Sequence, residues 1–219
     1  PEPFSALYQR SLYQSMQALT KKNLTLPRKN VPNLPDNAKE LTGEILNHEK
    51  AITGCFAALL KIKISAVKIR IHGDYHLGQV LFTGNDFVII DFEGEPARTL
   101  SERRIKRSPL RDVAGMIRSF HYAAYTSLLK YASVRPEDIP MLETWVCLWY
   151  RYVGRTFLKS YLDTAGNAPF IPKDREVLNT MLKAYLMEKA IYEIGYELNN
   201  RPDWIIIPLR GIKHLLEIK

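Results

Sequence analysis

The stretch that decides the reading runs from Ile69 to Ala97, IRIHGDYHLGQVLFTGNDFVIIDFEGEPA. It sets His72, Asp74, His76, Gln79, Asp91, Glu93 and Glu95 around two short apolar runs, QVLF and FVIIDF. β-Branched and aromatic residues favour strands, and TGND between the runs is a turn signal. The pattern predicts one β-hairpin within residues 66–96, with strands that should be buried and polar residues in the turns around them. Catalytic groups often sit on such loops, held by a rigid scaffold.

On both sides of this zone the chain reads as helical. From Phe4 to Leu19, FSALYQRSLYQSMQAL repeats apolar residues at roughly helical spacing. LPRKNVPNLPDN then reads as a proline-rich connector, and Asp36 or Asn37 could cap a second helix lasting to about Leu60. After the hairpin, Ser108-Pro109 suits a helix start, with Ser as cap and Pro in the first turn. Further helices are expected over Glu137–Thr164 and Lys173–Asn200, the last stopped by NNRPDW. The expected fold class is therefore α+β and predominantly helical: residues 1–62 helical, 66–96 loop and hairpin, 109–219 helical.

Composition narrows the class. The 219 residues, 46% hydrophobic and 25% charged, are ample for a packed globular core. No apolar run approaches the ~20 residues of a membrane helix. Cys55 and Cys147 lie far apart in apolar, helical-looking context and read as free thiols of a reducing cytoplasm. The net charge is +8, part of it in Arg98–Arg111 with six basic residues and one acid. No aromatics interleave there and no nucleic-acid motif is present, so a solvated loop, or one that attracts an anionic cofactor, is expected.

Two chemistries compete for the polar cluster. His72-x-Asp74-x-His76 would project from one face of a strand and could hold zinc, but that leaves DFEGEP without a role. Phosphoryl transfer uses the whole set. It needs a carboxylate to orient or deprotonate the attacking hydroxyl, and oxygen ligands for Mg²⁺ bridging the phosphates of ATP. A protein-kinase catalytic loop, H-R-D-x-x-x-x-N, is followed after a hairpin by D-F-G. Here His72-Gly73-Asp74 is followed at the same offset by Gln79, and the hairpin leads into Asp91-Phe92-Glu93. The hairpin should bring Gln79 and Asp91 together to share a metal.

HGDYHLGQVL and IIDFEGEPA resemble the aminoglycoside-phosphotransferase-like kinases. SERRIKRSPLRDVAGMIRSFHYAAY and EKAIYEIGYELNNRPDWIIIPLRGI resemble maltokinase segments more narrowly, and PEPFSALYQRSLYQSM resembles the maltokinase part of fused trehalose synthase–maltokinase proteins. The resemblance implies the C-terminal lobe of a protein-kinase-like fold, with ATP and Mg²⁺ as cofactors and maltose as acceptor. It implies Asp74 as catalytic base, Gln79 and Asp91 as metal ligands, and Glu93 near the cofactor, through loop hydrogen bonds or a metal-bound water. Asp112 would brace the catalytic loop or serve as an ordinary first-turn acid. His72 would be structural, and His76 could face the sugar. Glu188, Tyr192 and Tyr196 share one helix face beside Lys189 and Glu193 and would line the sugar site, with Trp204 stacking on sugar or packing at a helix stop. An aminoglycoside or choline acceptor, and a non-catalytic sugar-binding module, are the alternatives. No Gly-rich loop or phosphate-pairing lysine strand precedes His72, so the resemblance implies that the ATP lobe, and a fused trehalose synthase domain, lie outside these residues.

Overall fold

The computed structural model describes residues 1–34, 36–96, 99–131 and 135–218. In chain order come β1 (Glu2–Pro3), α1 (Ala6–Asn30), α2 (Asp36–Asn47), α3 (Glu49–Ala57), β2 (Val67–Lys68), β3 (Val80–Phe82), β4 (Phe87–Ile89), α4 (Leu100–Arg104), α5 (Leu110–Thr126), α6 (Ile139–Ala165), α7 (Arg175–Asn200) and α8 (Ile206–Leu216). Two compact units divide them: Lys68–Ile171 with Pro1, and Glu2–Val67 with Pro172–Lys219.

The second unit is all but entirely helical. α7 is its central helix, packed by α1, α3 and α8, while α2 packs on α8. Met181, Met187, Ile191 and Ile194 of α7, with Met16, Leu24, Ile52 and Phe56, are buried. Gln9 ties α1 to the end of the α3 region by donating to the carbonyls of Leu59 and Ile62. The expected proline-rich connector is mostly helix, because α1 continues through Pro27 to Asn30. A proline inside a helix forfeits one hydrogen bond, a cost of ~3 kcal/mol, and packing of α1 along α7 offsets it. The expected single helix to Leu60 is two, broken at His48 (φ −96°, ψ 14°), then a 3₁₀ turn over Ala58–Lys61.

Close approach of α1 and α7 depends on Gly195. A Cβ there would lie 2.7 Å from three side-chain atoms of Asn23, whose Nδ2 donates to the Ile191 carbonyl at 2.9 Å. Gly→Ala normally stabilises a helix interior, but this Asn is buried and anchored. Gly195→Ala is expected to destabilise by roughly 1–3 kcal/mol, the overpacking range, as measured by denaturant unfolding; a stabilised variant would show that the two helices are free to separate.

In the first unit, α5 packs against α6. Leu110, Val113, Met116, Ile117 and Tyr125 of α5 are buried. The hairpin is antiparallel, with Val80 opposite Ile89, Leu81 opposite Val88 and Phe82 opposite Phe87. Thr83 closes its turn through bonds to Asp86, and Gly84 supplies the positive φ of 97°. The strands are not buried as expected: Leu81, Phe82, Phe87, Val88, Ile89 and Ile90 are 36–67% exposed. A two-stranded sheet has two apolar faces, and nothing among the described residues covers either one.

The basic stretch is more ordered than a solvated loop. Arg98 lies outside the described residues. Thr99 and Glu102 form a reciprocal cap at the start of α4, and the Arg107 backbone pairs with Ile69 through bonds of 3.0 and 2.9 Å.

Candidate active site

Residues 72–76 form a tight loop held from α5. Both oxygens of the Asp112 carboxylate are used: Oδ2 accepts the His72 N–H at 2.7 Å and Oδ1 the Gly73 N–H at 2.9 Å. Gly73 takes φ 89°, a conformation cheap only for glycine. One helical turn along α5, Gly115 leaves room for the same loop: a Cβ there would lie 2.7 Å from the Tyr75 carbonyl oxygen. A turn further, the Ser119 hydroxyl accepts the Leu77 N–H at 3.2 Å. Asp112, Gly115 and Ser119 thus share the face of α5 that holds the loop. Sequence reasoning found only Asp112; the three-and-four-residue spacing from it is the signal that points to the other two.

Burial raises the Asp112 carboxyl above the usual carboxylate range, against the two N–H bonds and the nearby Arg111, which pull it down. Its folded value exceeds its unfolded one, so the native state binds the extra proton. Stability from this group is full in acid and is lost as pH rises out of the ordinary carboxylate range. Asp112→Asn is expected to flatten that slope in urea unfolding followed across pH. It should also cost about 1.5–3 kcal/mol, because the amide cannot accept both bonds as a carboxylate does. An unchanged slope would remove Asp112 as its source.

His72 is buried and bridges the two loops. Its Nδ1 accepts the Asp74 N–H at 3.4 Å, so Nε2 carries the proton and donates to the Ile90 carbonyl at 2.8 Å. Its ring also packs 5.0 Å from that of Phe92. The loops approach so closely that a Cβ on Gly94 (φ 80°) would meet the His72 carbonyl at 3.3 Å. Nearby, a cavity of about 20 Å³ between Gly73, Gly94 and Arg103 has room for one water.

Asp74 lies 3.7 Å from His76 Nε2, and the other nitrogen of that ring accepts the Gly78 N–H. The zinc pattern His72-x-Asp74-x-His76 does not assemble: these bonds turn the rings apart, and no group of three His, Cys, Asp or Glu is placed for a metal among the described residues. Gln79 and Asp91 do come together across the hairpin. Gln79 Nε2 donates to Asp91 Oδ2 at 2.8 Å, and the Gln79 carbonyl accepts the Ile90 N–H at 3.0 Å. Asp91 is exposed and takes φ 61°, unusual for a residue other than Gly and a kind of strain that clusters at functional sites. Glu93 is exposed, and its backbone carbonyl accepts a bond of 3.4 Å from Arg103. An amide and a carboxylate side by side suit Mg²⁺, a hard cation that takes one or two protein oxygens and fills its shell with phosphate and water. The Gln79 amide would have to turn over to offer its oxygen.

The residues expected at a sugar site are on α7, in the other unit. Glu188 and Glu193 are buried, 4% and 7% exposed, Tyr192 is half-buried and Tyr196 exposed. The Lys189 ammonium lies 5.1 Å from the Tyr192 ring centroid, and the Tyr192 and Tyr196 rings stack at 6.5 Å. Glu197 holds Arg201 through two bonds of 2.8 and 2.9 Å, and that guanidinium covers the ring of Trp204 at 4.4 Å. Trp204 is thus packed at the helix stop. Most residues of α7 are buried, Glu188, Glu193 and Glu197 among them.

A helical body carrying this loop and hairpin is the fold of sugar kinases of known structure. The chain superposes on a glucosamine kinase (crystal form A) with a TM-score of 0.76 at 21% identity, covering 98% of this chain and 48% of that one. A glucosamine kinase in complex with glucosamine, ADP and inorganic phosphate gives 0.75 at 20% identity, over 98% and 49%. In sequence, the chain is 30% identical over 186 residues to a glucosamine kinase of Mycolicibacterium smegmatis, spanning 81% of this chain and 42% of the relative. It is 24% identical over 148 residues to a glucosamine kinase of Streptacidiphilus jiangxiensis, spanning 68% and 32%. The chain therefore spans less than half the length of these curated relatives. No protein-family model matches it.

Proposed function

We propose that this chain is the acceptor-side half of an ATP-dependent sugar kinase. The observation that carries the reading is the paired geometry of the two loops: Asp74 on a loop clamped by Asp112, and Gln79 beside Asp91 on the adjoining hairpin. Asp74 accepts the proton of the attacking sugar hydroxyl. That oxygen bonds to the γ-phosphorus as the bridging P–O bond breaks and ADP departs. Gln79 and Asp91 would hold Mg²⁺, which would supply neutralisation of charge on the phosphate oxygens. Positioning and electrostatics account for most of the catalysis in such a reaction. In this reading His76 faces the sugar, Glu188, Lys189, Tyr192, Glu193 and Tyr196 of α7 are residues of a kind that recognises one, and Glu93 acts near the nucleotide.

The acceptor is a sugar, and the named relatives favour glucosamine. Carboxylates on α7 suit its ammonium group, and the tyrosines suit the C–H face of a pyranose. Maltose, giving maltose 1-phosphate, is the second reading, favoured by the likeness of the Glu188–Ile212 segment to maltokinases. Comparison of kcat/KM for glucosamine, maltose, glucose, an aminoglycoside and choline in the full-length protein decides among them. A preference for the last two would overturn the sugar assignment.

The exposed hairpin and the absence of any Gly-rich phosphate loop in the sequence support placing the ATP clamp in a further segment that covers β3 and β4. In cytoplasmic trehalose and glycogen metabolism such a kinase could be joined to a trehalose synthase domain. The 219 residues alone are expected to transfer almost no phosphate; robust turnover by them would refute the divided arrangement.

A further inference from the structure

The outer face of α6 carries a stripe that neither the fold nor the proposed reaction uses. Met141, Trp145, Leu148, Trp149 and Tyr152 are 47–72% exposed. The inner face, with Val146, Cys147, Tyr150, Val153 and the buried Gly154, is the better-covered one. Tyr125 of α5 bonds there to Glu143, and Gly154 approaches Ile117.

The spacing of the stripe is its most informative property. Met141, Trp145, Leu148 and Tyr152 are four, three and four residues apart, a pattern that reads the same in both directions. It is also the spacing of a coiled-coil seam. About the midpoint between Val146 and Cys147, Met141 mirrors Tyr152 and Trp145 mirrors Leu148. The next seam positions outward are Asp138 and Arg155, which mirror each other and are opposite in charge. Asp138 is held by Arg135 of its own chain at 2.9 Å, and Lys159, beyond Arg155 on the same side, pairs with Asp163. An antiparallel copy of α6 would therefore set each apolar seam residue against an apolar one and bring Arg155 of one copy to Asp138 of the other, where it joins the Arg135–Asp138 pair. Antiparallel helix dipoles add in the same sense.

We propose that α6 is the two-fold interface of a homodimer, with Trp145 and Leu148 at its centre and Asp138–Arg155 pairs fixing its register. Two tryptophans, a tyrosine, a leucine and a methionine, each about half exposed or more, supply on the order of 500 Å² per copy. A standard stable interface buries ~800 Å² per partner, so the stripe supplies the apolar centre of one. A two-fold axis is the symmetry that a self-complementary stripe demands, and it closes the assembly at two copies. The inference is independent of the reaction proposed for the hairpin.

Sedimentation of the full-length protein across a concentration series tests it. The expected result is a monomer–dimer equilibrium. Trp145→Glu, at an exposed position that folding does not require, should weaken it by at least about 30-fold, the effect of a central hot-spot residue. Asp138→Lys and Arg155→Glu should each weaken association about tenfold or more, and the two together should restore it, because the swapped charges meet again across the axis. A wild-type monomer at all concentrations would overturn the proposal and assign the stripe to another segment of the longer chain. A dimer indifferent to Trp145→Glu, or charge swaps that fail to rescue each other, would overturn it equally.

Discussion

Asp74→Asn in the full-length protein is expected to lower kcat for phosphate transfer by about 10²–10⁴-fold, the usual contribution of a positioned general base, with KM for the sugar changed only a few-fold. The amide keeps the size of the carboxylate and can still be held by the loop, but it cannot take the hydroxyl proton. The loop itself should survive, since its clamp is Asp112 through the backbone of His72 and Gly73 rather than the Asp74 side chain. Steady-state kinetics with both substrates varied check the split. A large rise in KM with kcat preserved would make Asp74 a binding residue instead.

The second large effect is expected at a residue that performs no chemistry. Gly115→Ala adds a methyl group whose carbon would lie 2.7 Å from the Tyr75 carbonyl oxygen. Backbone cannot swing away as a long side chain can, so either α5 or the loop must shift. Overpacking of this kind costs roughly 1–3 kcal/mol. The shift falls beside Asp74, and a displacement of ~1 Å at reacting groups costs on the order of 100-fold in rate. Gly115→Ala should therefore lose activity out of proportion to its lost stability, read as kcat and as the urea midpoint on the same preparation. A variant with normal kcat would show that the loop is not positioned from α5.

The hairpin was legible because local signals agreed: two β-branched runs, a TGND turn and polar residues outside them. The same order along the chain made the meeting of Gln79 and Asp91 legible before any coordinates, since a hairpin returns the chain to its start. What local signals missed was set by tertiary packing. Pro27 reads as a helix stop, and α1 passes through it because α7 lies alongside. α8 follows the 3₁₀ turn Pro202–Trp204 and has no side-chain cap on Ile205, so nothing in IIIPLRGI marks its start. No local signal marks the α7 glutamates Glu188 and Glu193 as buried, and their burial follows from the central place of that helix. The hairpin strands look like core and are exposed, because apolar composition tells that a surface is to be covered but not whether the covering lies within these residues.

In the proposed function the loop pair at Asp74 and Gln79–Asp91 transfers phosphate to a sugar. The most direct measurement is a single-turnover experiment on the full-length protein with γ-labelled ATP, Mg²⁺ and glucosamine or maltose, with Asp74→Asn in parallel. The expected result is label on one of the sugars with the wild type and its near-complete loss with the variant. Sugar binding without label on any acceptor would contradict it and leave a sugar-binding module that keeps the shape of a kinase without its reaction.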